Sequence, residues 1–163
     1  MTIVAARRYL AGKVTDPALD LERCDLPAAD GEFDWIGVAD PTPAELALLQ
    51  HRYGLHPLAI EDALTRGSPA KAEAFGPMLF VMACTAALQD EEGIAYGQTA
   101  IFLDRHFIIT VRQGSARAHT ALRQQLEANP QRLAEGPDVV LHGLLDYLAD
   151  GYVPLLDKLD LAV

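Results

Sequence analysis

An α/β fold is predicted by three observations. Segments of strand composition and segments with a helical apolar period occur in mixed order along the chain, a complete helix-start signature stands between two of them, and 50% of the residues are hydrophobic. At 163 residues the chain has the length of one domain. Charged residues make up 22%, as in ordinary globular chains, so a packed core is expected and disorder is not.

The elements are justified in order. Residues 3–14 read as one extended segment, followed by a polar, Asp-rich connection through Glu32. Phe33-Asp34-Trp35-Ile36-Gly37-Val38-Ala39 has the aromatic and branched residues of a strand. Thr42-Pro43-Ala44-Glu45 then opens a helix: an N-cap Thr, a Pro at the first helical position and a Glu three residues after the cap form a capping box. Leu46, Leu49 and Tyr53 supply its apolar stripe, and Gly54 ends it. His56-Pro57 starts a shorter helix to about Thr65, with Leu58, Ile60 and Leu64 as its apolar surface. Three strands follow, at residues 78–88, 96–103 and 107–111, with a turn over residues 89–93 and a hairpin link at Asp104-Arg105-His106. Beyond Gly114 the period becomes helical, with Ala118, Leu122 and Leu126 on one face until Asn129-Pro130.

Gly136-Pro137 opens the last helix, whose stripe runs through Val140, Leu141, Leu144, Leu145, Leu148, Tyr152, Leu155, Leu156 and Leu159. Pro154 is expected to bend it. The stripe is still periodic near Val163, which suggests a piece of a longer protein; the simpler alternative is a helix with a frayed end.

With 13 Lys+Arg against 23 Asp+Glu, the net charge of −10 argues against nucleic acid and anionic membranes, which are held by clustered basic residues. The longest nearly apolar run, 77–88, falls short of the roughly 18–20 residues of a membrane span, and no secretory signal precedes it, so a soluble, cytoplasmic domain is expected. Cys24 and Cys84 lie far apart without Cys-x-x-Cys spacing, which argues for reduced thiols. Phosphate-loop, dinucleotide, nucleophile-elbow and His-Glu-x-x-His motifs are absent, and no enzyme activity is expected. Ser115 reads as a helix cap, His51, His56, His106, His119 and His142 as scattered surface or capping residues, and Cys84 as a thiol in an apolar strand that disfavours its thiolate.

The acidic positions are more informative. Glu61 and Asp62 adjoin on a short helix, and Asp146 and Asp150 lie one turn apart on the last one. Hard divalent cations such as Mg2+ prefer carboxylate and water oxygens. The simpler alternative pairs Asp62 with Arg66 one turn on and leaves the other acids solvated.

His56-Pro57-Leu58-Ala59-Ile60-Glu61-Asp62-Ala63-Leu64, followed by Pro69-Ala70-Lys71-Ala72-Glu73-Ala74-Phe75, resembles the N-terminal cytoplasmic domain of the CorA family of divalent-cation transporters. Phe33-Asp34-Trp35-Ile36 with Asp40-Pro41, the segment Ile101 to Arg112, and Leu144-Leu145-Asp146 with Asp150-Gly151-Tyr152-Val153-Pro154 extend the match. The resemblance implies an α/β/α layered domain with a central mixed sheet over residues 1–136, with residues 137–163 beginning a long stalk helix in the same unit. It implies a homopentamer at the cytoplasmic face of the membrane, with the two transmembrane helices and the Gly-Met-Asn motif supplied by sequence beyond these residues. Matched residue by residue, it places Glu61, Asp62 and Asp146 at subunit boundaries as ligands of a regulatory Mg2+. Ser68-Pro69-Ala70-Lys71 departs from the Gln-Arg-Pro-Lys of many relatives. The ZntB branch shares much of the pattern, leaving Mg2+ or Co2+ against Zn2+ as the transported ion. A stand-alone binding domain or enzyme on the same architecture is the reading from a different class.

Overall fold

The computed structural model describes residues 3–90, 93–114 and 117–162. The turn expected at 89–93 falls partly, and the Ser115 cap wholly, outside these residues.

The chain runs β1 (Ile3–Leu10), β2 (Lys13–Asp16), β3 (Glu32–Ala39), α1 (Pro43–Tyr53), α2 (Pro57–Leu64), β4 (Lys71–Phe75), β5 (Met78–Gln89), β6 (Gly93–Asp104), β7 (Phe107–Gly114), α3 (Thr120–Glu127), α4 (Pro130–Leu133), α5 (Pro137–Asp150) and α6 (Val153–Ala162). All seven strands join one mixed sheet in the order β2-β1-β3-β7-β6-β5-β4. β3 and β7 pair in parallel at the centre, Asp34 opposite Phe107 through Ala39 opposite Arg112, and the other neighbours are antiparallel.

Strand alternation sorts the core into two layers. Ile36, Val38, Phe80, Met82, Ala100, Phe102, Ile109 and Val111 pack on Leu46, Leu49, Leu55, Ala59, Ile60 and Ala63 of α1, α2 and their link. The opposite face offers Tyr9, Phe33, Trp35, Ile101, Leu103 and Ile108 to Leu122, Leu126, Leu133, Val140 and Leu144 of α3, α4 and α5. The fold is therefore α/β/α with a central mixed sheet. A buried polar pin joins α1 to the first face: Asp34 accepts from Arg8 Nε at 2.7 Å and Nη2 at 3.1 Å, and from Tyr53 OH at 2.8 Å.

The α1 capping box is present as expected, with Thr42 Oγ1 accepting from Glu45 N at 3.3 Å and Glu45 Oε2 accepting from Thr42 N at 2.9 Å. Other expectations need correction. The first extended segment is a hairpin: Ala11 and Gly12 take positive φ, 51° and 79°, and reverse the chain between β1 and β2. Leu58 is 57% exposed; the inward face of α2 is Ala59, Ile60 and Ala63. The last helix runs over Pro137–Ala162 as expected and is interrupted at Gly151-Tyr152, whose amides bond three residues back to Leu148 O and Ala149 O, because Pro154 has no N–H to continue the ladder. The run of apolar residues also understated this segment. Pro137–Ala162 is long and apolar enough to cross a membrane by length and composition, with 28% of its most apolar stretch buried. Val140, Leu144 and Leu148 of α5 are buried, and α5 packs on β6 and β7, while Leu156, Leu159 and Leu161 of α6 are exposed.

Candidate functional site

α2 presents the first two candidate ligands. Its start is set by Pro57 and by His56, whose Nδ1 accepts from Leu58 N at 3.2 Å while its ring stacks on Phe75 at 4.2 Å. Its end is fastened by Ser68, whose hydroxyl donates to Asp62 O and Thr65 O at 3.1 and 2.9 Å. Glu61 is exposed on this helix. Asp62 does not pair with Arg66; its Oδ2 lies 2.5 Å from Lys71 Nζ on β4, and the same ammonium reaches Glu73 Oε2 at 3.5 Å. The neighbouring carboxylates, Asp62 foremost, raise the Lys71 pKa, so the ammonium stays charged and occupies the place a cation would take. Sequence distance concealed this partner, because β4 is the sheet edge beside β5 and its residues show no apolar alternation.

Asp146 stands elsewhere. It is exposed on α5, in a groove of about 180 Å³ that also includes Gln125, Arg132, His142 and Asp150. His142, Asp146 and Asp150 share a helical face, each one turn from the next. Arg132 brings a positive charge into the same groove, against a cation. α2 and α5 cover opposite faces of the sheet, so Glu61 and Asp62 are not brought together with Asp146 within one copy. Among the described residues, no three His, Cys, Asp or Glu side chains are placed to hold a metal ion together.

A cleft of about 380 Å³ opens beside α2, lined by Arg66, Ser68, Cys84, Tyr96, Gln98 and Gln113 among others. Gln98 organises it, donating to Thr65 O at 2.9 Å and Gln113 Oε1 at 3.1 Å, and accepting from Gly67 N at 3.1 Å. Two glutamines within β-runs were the available signal for this polar spot. Cys84 is exposed at its rim, so the expected apolar burial of that thiol is corrected. Among the described residues no carboxylate or imidazole lines the cleft, so they place no acid–base pair there.

The histidines also differ from expectation in one place. His119 is buried at 6% exposure beneath the start of α3, without a side-chain cap hydrogen bond, instead of lying on the surface.

Comparison with known proteins places these elements. The family model described as CorA-like Mg2+ transporter protein matches residues 30–163. The putative metal ion transporter YfjQ of Bacillus subtilis (strain 168) is 28% identical over 142 residues, covering 87% of this chain and 43% of that protein. A putative metal ion transporter of Schizosaccharomyces pombe is 28% identical over 126 residues, 75% of this chain and 15% of that one. The chain thus spans less than half the length of these relatives. In fold, the soluble domain of CorA from Methanocaldococcus jannaschii superposes with a TM-score of 0.71 at 18% identity, covering 98% of this chain and 62% of that one. The ZntB cytoplasmic domain from Vibrio parahaemolyticus does so with a TM-score of 0.72 at 12% identity over the same shares. The match of the family model over residues 30–163, joined to the layered fold, shows that this chain belongs to the CorA-like Mg2+ transporter family.

Proposed function

We propose that the chain is the cytoplasmic, metal-sensing domain of a CorA-like divalent-cation transporter, acting as a homopentamer in which Glu61, Asp62 and Asp146 bind regulatory Mg2+ between copies. Family membership supports the transporter role. The outward placement of Asp62 and Asp146 on opposite layers carries the site. An ion shared by these acids needs Asp62 of one copy and Asp146 of the next.

Mg2+ keeps most of its waters, so exposed carboxylates from two surfaces suit it without a preformed cage. Bound between copies, the ion offsets the repulsion of acidic faces and favours the arrangement that brings them together. Lys71 holds Asp62 in the ion's absence and is displaced when Mg2+ binds. The transported ion is Mg2+ or Co2+ on this reading; the likeness to the ZntB domain supports Zn2+ as the second reading.

Calorimetry with Mg2+, Co2+ and Zn2+, paired with sedimentation, tests the site. Mg2+ in the millimolar range is expected to promote association, and D62N with D146N to abolish that response. K71M is expected to tighten Mg2+ binding a few-fold, because the ion no longer competes with an ammonium. Unchanged Mg2+ binding in the D62N/D146N variant would remove these residues from the sensor. Uptake measured on the intact transporter decides among the three cations.

A further inference from the structure

A crevice on the other side of the molecule gathers two buried side-chain nitrogens without hydrogen-bond partners. It lies between β1, β3, β7 and the first turn of α3, and is lined by Val4, Ala5, Gly37, Arg112, His119, Thr120 and Arg123. Arg123 is 7% exposed and His119 6%, and neither Arg123 Nε nor His119 Nε2 has a hydrogen-bond partner among the described residues. A buried donor left unmet costs about 1–3 kcal/mol, more when charged, so two in one crevice call for an acceptor.

At those two nitrogens the described residues supply none, although Tyr9 and Glu127 act on the Arg123 guanidinium from outside the crevice. Among the described residues no acidic side chain lines the crevice, although the chain as a whole carries −10. Glu127, one turn along α3 from Arg123, is engaged by Arg7 Nη1 at 2.8 Å and Tyr9 OH at 2.7 Å. Arg112 has no ion pair among the described residues. α3 begins at the crevice, with His119 and Thr120 in its lining, and without a side-chain cap on its N-terminal turn.

We propose that Arg112, His119, Thr120 and Arg123 form a binding site for a single small inorganic anion of halide size. The crevice offers about 10 Å³ to the centre of a water-sized sphere, space that suits one small spherical anion better than a tetrahedral oxyanion. A water fits by size but accepts at most two hydrogen bonds and carries no charge to set against two guanidinium groups. Burial, with Arg112, Arg123 and Arg117 nearby, pushes the His119 imidazole down to about 4. At neutral pH it is uncharged and contributes an N–H from its Nε2 tautomer without adding to the positive charge. The bound anion ties α3 to the centre of the sheet, remote from the acids of α2.

The molecule carries its own reporter. Trp35 is the sole tryptophan, fully buried, with the Arg123 guanidinium 4.6 Å from its ring. A heavy halide held beside that guanidinium quenches the indole with saturation, whereas collisions reach a buried ring weakly and linearly. Bromide titration of the chain at constant ionic strength, with gluconate as the balancing anion, is expected to give saturable quenching that chloride reverses and phosphate does not. Arg112→Gln and Arg123→Gln are expected to remove the saturable part. Gly37→Ala tests the site without removing a donor. Its added Cβ would sit at ordinary contact, 3.6 Å from Thr110 Oγ1 and 3.7 Å from Arg123 Nη2, filling the crevice while the fold persists. At least tenfold weaker bromide binding in Gly37→Ala supports the site. Linear quenching, or saturable quenching equal in wild type and Gly37→Ala, overturns it, as does equal displacement by phosphate and chloride.

Discussion

Replacing Asp34 by Ala tests how α1 is held to the sheet. The carboxylate is fully buried and accepts three hydrogen bonds, two from Arg8 and one from Tyr53. Arg8 is raised in pKa chiefly by its hydrogen bond to Asp34, and the Tyr53 phenol is raised by burial ahead of its interactions with the same carboxylate. Removing the carboxylate leaves a largely buried guanidinium, 14% exposed, without its counter-charge and a phenol without its acceptor. Breaking a buried pair in this way costs about 3–5 kcal/mol. Arg8 Nη2 keeps the carbonyl of Asp25 at 2.6 Å and has some access to water, so the lower end, about 3 kcal/mol, is expected. For a chain of this length that is a fall in Tm of roughly 6–12 °C. Urea unfolding followed by circular dichroism measures it, with the slope checked for constancy. Asp34→Leu combined with Arg8→Met removes both charges and is expected to recover most of the loss. A loss below about 1 kcal/mol for Asp34→Ala, or a double variant no more stable than Asp34→Ala, would refute this account.

Three further outcomes are expected. His119 has a folded pKa of about 4 against 6.5 in the unfolded chain, so the unfolded state takes up the proton first as pH falls. Its contribution is complete above pH 6.5 and is lost towards pH 4, at most about 3 kcal/mol from a shift of this size. In chloride-free buffer, His119→Gln should therefore flatten the fall in stability between pH 6.5 and 5; an unchanged slope would assign that fall to other groups. Gly12→Ala should destabilise by more than about 2 kcal/mol, since its Cβ would lie 1.9 Å from the backbone oxygen of Pro130 at a φ of +79°. Gly54→Ala, at φ +65° with open space around the added atom, should lose only about 1 kcal/mol in the same urea titration.

What was legible in the sequence follows from the range of the forces involved. The α1 capping box is complete within four residues, so Thr42 and Glu45 declared it without help from the rest of the chain. The strands at the centre of the sheet showed themselves by apolar content, because both of their faces are covered. β4 did not, since Ala72, Glu73 and Ala74 are exposed at an edge where nothing selects apolar residues. The β1–β2 reversal was hidden because Ala11 gives no sign of a positive φ. Glu61, Asp62 and Asp146 were singled out by local motif. Their placement on opposite layers depends on which face each connection crosses, and Lys71 reaches Asp62 only through the pairing of β4 with β5. The crevice at His119 and Arg123 left no local trace, as its lining comes from four separate elements.

The parallel pairing of β3 with β7 bears on how the molecule assembles itself. β4 to β7 form an antiparallel meander that closes through neighbouring residues, whereas the partners Asp34 and Phe107 lie about 70 residues apart, an entropic cost settled in one step. The meander is thus placed to fold first and to serve as the template on which β3, carrying β1 and β2, docks last. Until that docking, the β7 edge is an open row of amides and carbonyls able to accept the wrong strand. Substitutions in β3 should then slow folding less than they speed unfolding, and the centre of the finished sheet would be the last part of it to form.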